Sequence, residues 1–133
     1  MNEKKIPLYK AIAIAISARE NCIKSGNTEW QDKHEESLWR YQELLPKGSG
    51  FDMGTAIDWE KSNRQKIVLN GHYHKMDENG FYDRWIDFRV VVTPSLQFDF
   101  DLKFVGNFGK DQDLKEYLYC EFEFYLNEFV KRR

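Results

Sequence analysis

Two histidines stand two residues apart near the middle of the chain, in the segment His72-Tyr73-His74. Residues i and i+2 of a β-strand point to the same face, so a strand here would place both imidazoles side by side. Two imidazoles next to carboxylates can hold a metal ion that activates water. The nearby carboxylates are Asp77, Glu78, Asp83 and Asp87. The pattern therefore suggests one candidate function, a metal-dependent hydrolase or nuclease.

A solvated sheet surface accounts for the same residues. The two histidines alternate with apolar residues such as Ile67 and Leu69, so they fall on the face that is expected to be polar. No third ligand follows at a defined spacing. The acidic segment 77–83 is not an EF-hand loop either, because Tyr82 occupies the sixth position, where that loop requires glycine. We therefore predict no metal, no other cofactor and no catalytic residue.

The composition of the chain argues against a nucleic-acid-binding protein and against a membrane-spanning protein. The 133 residues carry 20 Lys and Arg against 22 Asp and Glu, a net charge of −2, whereas direct nucleic-acid binding requires a basic excess. No segment reaches the roughly 20 apolar residues that cross a bilayer. The two cysteines provide neither a metal-ligand spacing nor a disulfide framework, which is typical of a reducing cytoplasm. Aromatic residues make up 16 % of the chain, enough to supply both a core and a protein-binding surface.

The sequence pattern predicts one domain over residues 1–133, with a helical hairpin at 8–45, a loop at 46–63 and a βββα unit at 64–133. Apolar residues at three- and four-residue steps predict helices over 8–25 and about 29–45, which end at Gly26 and Pro46. Three glycines and a proline predict the loop, and long loops in small domains are often functional.

Alternating residues after the loop predict a three-stranded antiparallel meander. The first two strands meet at the Asn79-Gly80 turn, and the third runs from Leu96 to Phe104 with Phe98 among its apolar residues. A last helix is predicted from Asp111 or Asp113 to about Lys131. The expected fold is α+β, in the order ααβββα, with one face of the sheet packed against helices.

Three stretches of the chain, LPKGSGFDMGTAID, HYHKMDENGFYDRW and VVVTPSL, resemble a family of small uncharacterised bacteriophage and prophage proteins. The shared motifs are an LPxGSGxDxGTxID loop and an MDENGxYDxW hairpin. The resemblance covers about residues 44–125 and excludes the first helix. This sequence has Tyr73-His74-Lys75-Met76 where the family has two adjacent histidines before Met, which weakens a metal site common to the family. The resemblance implies a phage gene product in a bacterial cytoplasm, where inhibitors of host defence, including anti-CRISPR proteins, are common.

We therefore predict a non-enzymatic binding protein that inhibits or modulates a host protein or nucleoprotein complex. Aromatic side chains would anchor the contact and acidic side chains would steer it. Four points stay open: the identity of the partner, whether any catalysis occurs, whether the Gly48-Ser49-Gly50 segment binds a ligand or only turns the chain, and whether an open strand edge forms a homodimer. The predicted partner-binding residues are Phe51, Asp52, Asp58, Trp59, Asp77, Glu78, Phe81, Tyr82 and Trp85.

Overall fold

The computed structural model describes residues 5–96 and 99–131, which form three helices and six strands. The helices are α1 (Leu8–Ser25), α2 (Thr28–Gln42) and α3 (Gln112–Asn127). The strands are β1 (Lys5–Pro7), β2 (Phe51–Ile57), β3 (Ile67–Met76), β4 (Tyr82–Pro94), β5 (Phe100–Gly106) and β6 (Phe129–Lys131).

The fold is α+β, as predicted. Strands β2, β3, β4 and β5 form an antiparallel sheet in sequence order, and β1 pairs with β6 in a separate two-stranded ribbon. The helices cover one face of the sheet, where alternate residues of β3 and β4 enter the core. The opposite face carries no helix among the described residues, and we call it the open face. The fully buried large side chains include Tyr9, Phe122, Leu8, Ile12, Ile16, Leu38, Ile67, Leu69, Ile86 and Leu118.

The prediction that residues 46–63 form a loop is wrong for strand β2. Its residues pair with β3, and the register shifts between Phe51 and Thr55. Gly54 lies at this irregularity with φ 73°, a conformation that glycine adopts without strain. The glycines of this segment therefore mark a turn and a bulge, and they do not prevent a strand from forming.

The predicted layout ααβββα is also incomplete at its ends. The last helix stops at Asn127, because Glu128 is extended with φ −60° and ψ 145°. The carbonyl of Glu128 accepts a 2.8 Å hydrogen bond from the amide of Leu8, and the following strand β6 pairs with β1. Helix α2 ends at Gln42, before the predicted end at 45, while α1 has the predicted bounds 8–25.

Two consecutive helices and three consecutive antiparallel strands, β3, β4 and β5, are present as predicted, but β2 adds a fourth strand to the sheet. Gly26 ends α1 with φ 74°, and the side chain of Asn27 caps α2 by accepting a bond from the amide of Trp30. The third strand of the meander begins later than predicted, at Phe100, and Leu96 is 76 % exposed instead of buried. Phe98, also predicted in that strand, lies outside the described residues.

Candidate functional site

The hairpin of β3 and β4 extends past the rest of the sheet. Strand β5 pairs only with the segment Phe88–Pro94 of β4, so the segment from Tyr82 to Asp87 has no partner on its outer side among the described residues. On the helix side, the Arg84 guanidinium donates a 2.7 Å hydrogen bond to the carbonyl of Phe108. The hairpin is therefore held from one face and open on the other.

A β-bulge turns Tyr82 to the open face. Lys75 pairs with Arg84, but the next residue, Met76, pairs with Tyr82, so Asp83 is the extra residue in β4. Simple alternation would place Tyr82 on the core face with Ile86. A bulge reverses that alternation and re-aims the side chains beyond it.

Five side chains gather on the open face of this hairpin, and we call them the aromatic patch. The ring centroid of His74 lies 4.5 Å from that of Tyr82 and 4.2 Å from that of Trp85, and His72 lies 5.3 Å from Trp85. Tyr82 is 70 % exposed, Met76 47 % and Trp85 44 %. Large apolar side chains exposed together in this way are typical of contact surfaces. The patch consists of His72, His74, Met76, Tyr82 and Trp85.

Asp87 joins two members of the aromatic patch. Its Oδ1 lies 2.5 Å from Nδ1 of His72 and also accepts a hydrogen bond from the indole N–H of Trp85. These two bonds lower the pKa of the Asp87 carboxyl below its usual value, and the bond from Trp85 has the larger effect. Because a carboxylate only accepts hydrogen bonds, Nδ1 of His72 carries the proton in this pair. The charge of Asp87 therefore orients two rings of the patch.

Asp77 shapes the turn at the tip of the hairpin. Its Oδ1 accepts hydrogen bonds of 2.9 Å from the amides of Asn79 and Phe81, and its own amide donates 2.8 Å to the carbonyl of Phe81. The ring of Phe81 is 70 % exposed beside the patch, and Glu78 is exposed at the tip. Of the acids predicted to steer a partner, Asp77 is engaged by the turn while Glu78 projects into solvent.

The Gly48-Ser49-Gly50 segment is a tight turn beside the patch. All three residues have positive φ, and the Gly50 carbonyl accepts a 2.6 Å hydrogen bond from the amide of His74. A cleft of about 190 Å³ lies between this turn and the patch, with Asp52 at its edge. The turn therefore forms one wall of the candidate surface, and the predicted contact residue Asp52 lies next to it.

Two predicted contact residues lie away from this surface, and a third, Phe51, lines the cleft beside the patch but has a buried side chain. Phe51 is only 5 % exposed and packs against Phe88 and Phe122 in the core, so its prediction as a surface anchor is wrong. Asp58 accepts a 3.1 Å hydrogen bond from Asn70, and Trp59 packs edge-on against Trp39. Asp58 and Trp59 are at the opposite end of the sheet, because Asp58 lies opposite Val68, about 20 Å along β3 from His74 at roughly 3.3 Å per residue.

Three features of the surface were not predicted from the sequence. Met76 appeared only in the motif of the resemblance, and the histidines were interpreted only as metal ligands or solvated residues. Arg89 was also missed: it lines a groove of about 590 Å³ on the open face with His72 and Asp87. Its Nε is buried without a hydrogen-bond partner among the described residues. Arg89 alternates with buried residues in β4, and this pattern alone would have indicated that it lies on the solvent-exposed face of the sheet.

Of the described carboxylates in the alternative metal site, only Asp87 contacts a histidine, through its hydrogen bond with His72. Asp77 is held in the turn, and Asp83 lies 3.9 Å from Nζ of Lys75, which also pairs with Asp111, the residue before α3. In the described part of the chain, no three His, Cys, Asp or Glu side chains are placed to share a metal ion. The geometry therefore gives no support to the metal-dependent alternative.

Comparisons of the chain with protein-family models, with curated proteins and with solved structures returned no match. Among the described helices, none combines the length and the hydropathy needed to cross a bilayer.

Proposed function

We propose that this chain is a small phage-type binding protein that acts in the cytoplasm of a bacterial host. Its aromatic patch docks on a host protein or on the protein component of a nucleoprotein complex and inhibits or modulates it. Anti-defence proteins, including anti-CRISPR proteins, act in this way. The proposal requires neither a catalytic step nor strong direct nucleic-acid binding.

The aromatic patch is the observation that carries the proposal. Hot spots of protein interfaces are enriched in Trp and Tyr, and methionine adapts well to a partner's shape. Trp85 is braced by His72, His74 and Asp87, so its ring is ordered before any partner arrives. A pre-ordered anchor loses little conformational entropy when it binds.

Charge around the patch supports a protein partner more than a nucleic acid. Asp52, Glu78 and Asp87 surround the exposed rings, and they would repel phosphates. The same carboxylates would speed the encounter with a basic protein surface.

The test compares two tryptophans of similar exposure. Trp85 is 44 % exposed in the patch, and Trp30 is 50 % exposed on α2. The tagged chain and the variants Trp85→Ala and Trp30→Ala are used to capture host proteins from bacterial lysate at low salt. The captured partner is then purified, and its dissociation constant is measured by titration calorimetry with each variant.

We expect Trp85→Ala to weaken binding at least about thirtyfold, the loss typical of a hot spot of about 2 kcal/mol. Trp30→Ala should leave binding unchanged, and both variants should keep the circular dichroism spectrum of the parent. Inhibition of the partner's activity by the parent, and its loss in Trp85→Ala, would support the inhibitory role. Equal binding by the parent and Trp85→Ala would reject the patch as the docking surface.

A further inference from the structure

Strand β5 is an open edge of the sheet, unlike strand β2 at the other edge. The outward amide of Ile57 in β2 donates a 2.9 Å hydrogen bond to the Gln42 side chain, so α2 covers that edge. No described residue makes a hydrogen bond to the outer backbone of β5 from Asp101 to Gly106. An uncovered edge is a template for another strand.

The sequence of β5 is complementary to itself in the antiparallel direction. It reads Phe100-Asp101-Leu102-Lys103-Phe104. When two copies pair about Leu102, each Asp101 lies opposite Lys103 of the second copy, and each Phe100 lies opposite Phe104. Directly opposite residues share one face, so both charge pairs form on the open face and the apolar residues meet on the helix side.

We infer that β5 pairs with β5 of a second copy of this chain, centred on Leu102, and joins two four-stranded sheets into one continuous sheet. The charges select this register. A shift of the centre to Lys103 would oppose two lysines, and a shift to Asp101 would oppose two aspartates, and like charges directly opposite are destabilising. Neither Asp101 nor Lys103 has an ion pair within the described chain, so both are available to the second copy.

The side chains next to β5 favour the same occupant. Leu102 is only partly buried, and Val105 is 48 % exposed. A cleft of about 440 Å³ lies between β5 and α3, lined by Leu102, Phe104 and Tyr119 among others. Pairing would cover Leu102 and close part of this cleft with the equivalent residues of the second copy. A lone lysine on an edge strand usually discourages pairing, but here each lysine meets an aspartate.

The paired edge is distinct from the aromatic patch. Leu102 lies opposite Val92 in β4, about 23 Å along the strand from Trp85 at roughly 3.3 Å per residue. A dimer formed through β5 would leave both copies of the patch exposed. The inference therefore does not depend on the proposed function, and either can fail alone.

The first test measures self-association by analytical ultracentrifugation over a range of protein concentrations at low salt. We expect a monomer–dimer equilibrium in the parent chain. Lys103→Glu places like charges opposite each other twice and should raise the dissociation constant at least about tenfold. The double variant Asp101→Lys, Lys103→Asp restores both pairs and should restore the dimer. Lys61→Glu makes the same charge change in an exposed loop and should have no effect.

The second test reads the register with disulfides. Cys22 and Cys120 are first replaced by serine, and Asp101→Cys and Lys103→Cys proteins are then mixed and oxidised. Centring on Leu102 predicts that the mixed disulfide between the two proteins dominates over either homodisulfide. A monomer at all concentrations, a dimer that is insensitive to Lys103→Glu, or a dominant Lys103→Cys homodisulfide would each overturn the inference.

Discussion

Replacement of Gly71 by alanine tests how the core supports the strand that carries both histidines of the patch. Gly71 lies in β3 between Asn70 and His72, and its missing side chain would point to the core face. A Cβ added there would lie 2.4 Å from Cζ and 2.8 Å from Cε2 of Phe88. Both distances are well below van der Waals contact, so the ring of Phe88 must move.

The surroundings of Phe88 determine the energetic cost of that movement. The ring is 4 % exposed, and its centroid lies 5.8 Å from that of Phe122 and 6.1 Å from that of Phe104. Overpacking of a filled core costs about 1–3 kcal/mol, while alanine in place of a strand glycine returns about 0.5–1 kcal/mol. The steric cost is larger, so we expect a net loss of about 1–2 kcal/mol and a melting temperature lower by several degrees.

Urea unfolding of the parent and five variants measures this coupling: Gly71→Ala, Gly80→Ala, Phe88→Leu, and each glycine replacement combined with Phe88→Leu. Phe88→Leu shortens the obstructing ring, so it should be less harmful in the Gly71→Ala background than in the parent. Gly80→Ala serves as the control, because Gly80 has φ +83° and an added Cβ would meet nothing within 4 Å. Its cost is backbone strain and should not couple to Phe88. A Gly71→Ala protein as stable as the parent would refute this account of the core beneath β3.

Two further predictions concern carboxylates whose pKa is lowered in the fold. Trp85→Phe removes the indole N–H that bonds to Asp87, so the pKa of the Asp87 carboxyl should rise towards its usual value. Carbon-detected NMR titration measures this pKa. An unchanged pKa would contradict the hydrogen bond. The pKa of the Asp111 carboxyl is lowered below its usual value, mainly by the hydrogen bond from Lys75. Its stabilising contribution is therefore present when the pH is above the usual carboxyl pKa, and it is lost as the pH falls through the lowered pKa. Asp111→Asn should therefore lose less unfolding free energy on acidification than the parent in urea unfolding series, and parallel losses would contradict the prediction.

The meander was predictable because its signal is local. Alternation in β4 places Ile86, Phe88, Val90 and Val92 on one face, and all four are buried. The helical hairpin was equally clear, since Gly26 separates two stretches of helical period. Where periodicity, turn residues and burial agree, one sequence is sufficient to predict the element.

The missed strands depend on contacts between distant residues. Phe129 continues the apolar stripe of α3, and only pairing with β1 near the start of the chain makes it a strand residue. In β2, the glycines suggested a loop, but pairing with β3 decided the outcome. Local propensity cannot predict these pairings, because the partner strand supplies the hydrogen bonds.

The aromatic patch shows the same limit at the candidate site. Trp85 and Tyr82 were predicted as contact residues from their type, and alternation alone would have placed them on opposite faces of β4. The bulge at Asp83 places both side chains on the same face. They are exposed because β4 runs from Tyr82 to Pro94, while β5 pairs only with the second half of β4. The uncovered half of β4 supplies Tyr82 and Trp85 to the aromatic patch, and β3 supplies His72, His74 and Met76. The unequal lengths of β4 and β5 thus explain why the proposed docking surface is exposed, whereas the inferred pairing edge follows from the position of β5 at the end of the sheet.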